Sequence, residues 1–190
     1  MSATDTARAR VRTNRSTQVV LGSFLAGVPA LWWGYGTDID TANVLRAGRS
    51  FFDGDYQLSR PPGNFPYEIA AYVLDSVGGA PLLVLASMVA AAVALLLLAG
   101  LVRREGHDPL PVLAVIALSP WWWVASTSTG DYLVAVALVL AGAHARLVGR
   151  SFIAGVCFGL AIGIRASTVG LVGAWTVSYT HLRAHETEAY

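Results

Sequence analysis

The sequence predicts an all-α fold: a polytopic transmembrane helical bundle of about five to six membrane helices, with an amphipathic helix on its outer face. Three observations predict it. Hydrophobic residues make up 55% of the 190 and charged residues only 13%. The mean hydropathy is +0.54, more apolar side chain than a soluble domain of this size can hide. Uncharged stretches end at arginines on one side and at tryptophans (Trp32-Trp33 and Trp121-Trp122-Trp123) on the other, the pattern of a positive inner face and an aromatic outer belt. A net charge of +1 without a basic block gives no footing for nucleic acid. Cys157 is the only cysteine, so no intrachain disulfide forms, and in its apolar segment it reads as a small buried hydrophobe.

Residues 1–16 carry Arg8, Arg10, Arg12 and Arg15 with no apolar period, and are expected to be a disordered cytoplasmic tail. The transmembrane domain is expected over 17–177. Its first span, 17–34, is about 27 Å long as a helix, enough for a bilayer core. A signal peptide competes for this stretch, but an aromatic belt follows it where a cleavage site would stand. The outer loop, 35–79, holds a helix over 41–52, with Val44, Leu45, Ala47, Phe51 and Phe52 on one side and Arg46 and Arg49 on the other; it is expected to lie flat on the membrane surface. A second short helix, 67–77, ends at Gly78-Gly79. Residues 80–102 form the clearest span and run inward to Arg103-Arg104. The stretch 109–124 returns outward, and 132–147 goes back in to Arg146 and Arg150. Residues 151–164 give only 14 before Arg165, while 151–178 taken as one helix would be about 42 Å, too long without a steep tilt. The chain is therefore expected to break near Arg165-Ala166-Ser167. An arginine there costs roughly 2.5 to 3.5 kcal/mol if it faces lipid at mid-bilayer, so Arg165 is expected to face protein. Residues 178–190, SYTHLRAHETEAY, read like translated sequencing adapter and are expected to be a non-native tail. The chain is then an incomplete domain.

The polar stretch between the first two spans carries the candidate chemistry. It contains GTDIDTANVLRAGRSFF, with Asp38 and Asp40, and then SRPPGNFPYE, with Arg60 and Glu68. An acid pair at the outer end of a first helix, an amphipathic helix, SRPPG and a following helical hairpin together resemble the start of a GT-C glycosyltransferase. That superfamily includes the dolichyl-phosphate-mannose protein mannosyltransferases and the bacterial aminoarabinose transferases. The resemblance covers about residues 17–177. Such enzymes carry several further helices and often a soluble C-terminal domain, which are expected to lie beyond the stretch the resemblance covers.

The resemblance implies transfer of a sugar from a polyprenyl-phosphate donor to an acceptor hydroxyl on the outer face of the cell membrane, with the N-terminus cytoplasmic and the acidic loop outside. The partners are that donor and membrane lipid. A hydroxyl is a weak nucleophile, so a carboxylate must take its proton, and cations must balance the departing phosphate. Asp40 then stands as the base and Asp38 as its helper. The two acids are also the candidate ligands of a divalent cation, Mg or Mn. Arg60 and Arg165 would reach the phosphate, Glu68 would orient Arg60 or the substrate, and Asp131 would sit on the same outer face. Each residue has a plainer reading as well. Asp38 and Asp40 can be solvated acids capping a helix, Arg60 and Arg165 can snorkel to headgroups, Asp131 can cap its own helix, and Asp53-Gly54-Asp55 is a turn. The alternatives at the level of function are part of a secondary transporter, for which broken helices and intramembrane charge speak, and a non-catalytic membrane subunit. The 190-residue chain by itself is expected to be inactive.

Overall fold

The structure, a computed structural model, describes residues 3–35, 39–62 and 64–177, with side chains from Arg15 onward. Every regular element among them is a helix. These are α1 (Ala3–Gly27), a 3₁₀ turn (Val28–Trp32), α2 (Ile39–Phe52), α3 (Phe65–Arg104), α4 (Leu110–Leu118), α5 (Pro120–Ser126), α6 (Tyr132–Leu147) and α7 (Ser151–Ile164), then α8 (Thr168–Val177). One of them, α3, is long and apolar enough to cross a membrane; α6, α7 and α8 are apolar but shorter.

Glycine and proline set the breaks. Gly79 takes φ 63° and ψ −157° inside α3, a conformation open almost only to glycine, so 65–78 and 80–104 run in different directions. This is the boundary expected from Gly78-Gly79. Gly79→Ala should lower the unfolding free energy by about 1–3 kcal/mol, read from equilibrium unfolding in mixed detergent. Its added Cβ would meet nothing closer than 3.8 Å, so the cost lies in the backbone alone. Pro29 turns the end of the first apolar stretch into the 3₁₀ turn.

Three expectations are corrected. The outward stretch 109–124 is two helices, because Pro120 forces Ser119 into an extended conformation (φ −69°, ψ 129°). Residues 3–16, expected as a disordered tail, continue α1; neither glycine nor proline interrupts that stretch, and its alanines and arginines favour helix. The apolar face of α2, expected against lipid, packs instead on α3, where Gly48 lets the helices close up. The expected non-native tail, 178–190, lies outside the described residues.

Small residues allow the close packing elsewhere too. The ring of Phe158 on α7 fills the space beside Gly142 on α6. A central core joins Val44 of α2, Tyr67, Ala71 and Leu83 of α3, Ala135 of α6 and Ile164 of α7. A second joins Val20, Leu95, Ala99 and Leu113. The first of these lies directly beneath the charged residues described next.

Candidate functional site

The site is assembled around Asp131, which immediately precedes α6 and whose side chain is only 4% exposed. A buried carboxylate needs charged or hydrogen-bonding partners, and three are supplied. Arg60 Nη2 donates to Oδ2 at 2.5 Å, Arg165 Nη1 donates to Oδ1 at 2.7 Å, and Asn64 Nδ2 donates to Oδ2 at 3.3 Å. Arg60 also donates through Nη1 to Asp40 Oδ2, at 3.1 Å. Asp40, in the first turn of α2, is 49% exposed. Arg165 stands in the extended break after α7, with its guanidinium carbon 3.7 Å from the centre of the Tyr132 ring, a cation–π arrangement.

Four residues singled out from the sequence are thus one alternating ionic chain: Asp40, Arg60, Asp131, Arg165. The turn that carries Asp131 is pinned from two helices. The hydroxyls of Thr41 and Thr129 lie 2.6 Å apart, and Tyr67 donates its hydroxyl to the Thr129 carbonyl at 2.7 Å.

Glu68, expected to orient Arg60 or the substrate, lies in the first turn of α3. It is 0% exposed, and its carboxylate accepts from the Tyr56 hydroxyl and from the Ser59 amide and hydroxyl. These bonds tie Glu68 to the loop that bears Arg60. Tyr56, Ser59 and Asn64 were not singled out from the sequence; the signal available was the pair of polar side chains flanking the prolines, Ser59 and Asn64. Burial, and then the Glu68 hydrogen bond, push the Tyr56 hydroxyl up from 10 to about 12. A raised phenol stabilises the fold below its unfolded value, and that contribution goes as pH rises through the folded one. The latch should therefore hold below pH 10 and release as pH climbs to about 12. The check is proteolysis of the 53–64 loop against pH: cleavage should rise in this window, and Tyr56→Phe should be cleaved faster at neutral pH with a flatter alkaline rise.

Asp53 and Asp55 behave as turn acids. Asp53 faces Arg49 one helical turn away, Asp55 accepts from Gln57, and Gly54 has φ 82°. Asp38 lies outside the described residues. Among the described residues no three His, Cys, Asp or Glu side chains gather around one point; guanidiniums take both carboxylate oxygens of Asp131 and Oδ2 of Asp40, and the expected Asp38–Asp40 cation pair rests on a residue outside the described ones.

A small void of about 10 Å³ lies between Asp40, Arg60, Asp131 and Tyr132, room for about one water. Tyr67 borders it and also borders a much larger apolar groove of about 400 Å³ between α3 and α6, lined by residues such as Leu74, Leu83, Val93, Val134 and Leu138. No family model, curated protein or solved structure matches the chain.

Proposed function

We propose that this chain is part of a polytopic membrane glycosyltransferase that moves a sugar from a polyprenyl-phosphate donor to an acceptor hydroxyl at the outer membrane face. The observation that carries the reading is the convergence of Arg60, Arg165, Asp131 and Asp40 at the end of an apolar groove. A prenyl tail needs such a groove and a phosphate needs such cations. In this reading Arg60 and Arg165 hold the phosphate. Asp40, the exposed acid, accepts the proton of the acceptor hydroxyl as its oxygen bonds to the sugar carbon and the carbon–phosphate-oxygen bond breaks. Asp131 and Glu68 are positioning residues, one fixing the arginines and the other the loop.

The test is made on the protein as its gene encodes it, in membranes. Sugar transfer should fall by roughly 10²- to 10⁴-fold in Asp40→Asn, the usual worth of a general base. Unchanged turnover removes Asp40 from that role. A second reading has its own support: the four charges sum to zero, so the cluster can serve as an ionic clamp in a non-catalytic membrane subunit. A wild-type chain that binds prenyl phosphate no better than the prenyl alcohol favours the clamp.

A further inference from the structure

The two carboxylates held by Arg60 are unequal. Asp131 is 4% exposed and is gripped by Arg165 and Asn64 as well. Asp40 is 49% exposed, and its bond to Arg60 is the longer one, 3.1 Å against 2.5 Å. An exposed ion pair is worth little, whereas a buried one is costly to break because it strands a desolvated charge. Arg60 can therefore give up Asp40 more readily than Asp131.

The charge balance points the same way. Arg60 and Arg165 bring two positive charges and Asp131 one negative charge, leaving +1. Asp40 now supplies the balancing charge. A glycosyl phosphodiester carries a single negative charge, so it fits the same vacancy in charge that Asp40 fills. Resting on the function proposed above, we propose that Asp40 is a resident stand-in for the donor phosphate: the arriving phosphodiester takes its place on Arg60 and releases the Asp40 carboxylate to receive the acceptor proton. The base then becomes available only after the donor is seated, so the site orders its two substrates, donor before acceptor.

The sign of one mutation tests this. The 190-residue chain is placed in phosphatidylcholine nanodiscs, and binding is measured for farnesyl methyl phosphate, a singly charged phosphodiester, with farnesol as the uncharged control. Asp40→Asn removes the competitor and should tighten phosphodiester binding roughly two- to five-fold, the equivalent of an exposed ion pair, without altering farnesol binding. In an Arg60→Ala background the same change should have no effect. In the wild-type chain, carbodiimide labelling of Asp40, followed by mass spectrometry, should rise when the phosphodiester is added. Equal or weaker phosphodiester binding by Asp40→Asn, or labelling that does not respond, overturns the exchange while leaving the donor site intact. Failure of the wild-type chain and of Asp40→Asn alike to prefer the phosphodiester over farnesol overturns the donor site itself, and the exchange with it.

Discussion

Asp131→Ala should lower the unfolding free energy by about 3 kcal/mol, toward the low end of the range for breaking a buried ion pair. The alanine leaves Arg60 and Arg165 facing one another with no negative charge between them, and Asn64 without its acceptor. The low end is the right one because both guanidiniums are a quarter to a third exposed, and water recovers part of the loss. Asp131→Asn keeps an acceptor in place and should lose about half as much. Replacing both arginines by methionine in the Asp131→Ala chain should restore most of the stability, since buried ion pairs exchange for apolar groups at little net cost. Equilibrium unfolding in mixed detergent, run as a mutant cycle, checks all of this. A loss in Asp131→Ala that persists undiminished in the methionine background would assign the effect to the turn rather than to the charges.

Gly48→Ala should be nearly as damaging, by about 3 kcal/mol, at the upper end for overpacking. The new Cβ would lie 2.3 Å from the Glu68 carbonyl oxygen and 2.5 Å from Tyr72 Cβ. Neither neighbour can swing aside, because one is helical backbone and the other is fixed to it. α2 must back away from α3, and Asp40, about two turns earlier on α2, must move with it. The variant should therefore lose the Asp40–Arg60 pairing as well as stability, seen as carbodiimide labelling of Asp40 that is high with or without phosphodiester. Gly155→Ala and Gly159→Ala on α7 are the controls: nothing lies within 4 Å of either Cβ position, and alanine favours helix over glycine, so both should be neutral or slightly stabilising.

Much of this arrangement is legible in the sequence, for stated reasons. Helix limits follow from punctuation: Gly79, Arg150 and Arg165 separate apolar stretches, and α6 and α7 end beside the arginines that mark them. Asp40, Arg60, Asp131 and Arg165 stand out singly, as charges beside apolar runs. Their meeting does not, because the partners lie 20, 71 and 34 residues apart and no local spacing encodes such pairings. The apolar face of α2 shows the same limit in another form. A stripe made of Val44, Ala47 and a glycine looks alike whether it will cover lipid or another helix; only the clearance at Gly48 tells them apart. The burial of Glu68 was hidden too, since a glutamate in a first helical turn is ordinarily a surface residue that complements the helix dipole. The break at Ser119 was within reach, for a proline twelve residues into an apolar run is a standing reason to divide it.

The bend at Gly79 bears on how the protein would respond to its surroundings. The part of α3 beyond it, from Ala80 to Arg104, is about 37 Å long as a straight rod, somewhat longer than a typical hydrocarbon layer. In the membrane setting proposed above, a thinner bilayer would make that rod lean. Because the regular path is interrupted at Gly79, the lean has a pivot, and Tyr67 and Glu68 lie on the far side of it. The Asp40–Arg60 distance should then stay the same in thick and thin bilayers while the long rod changes its angle.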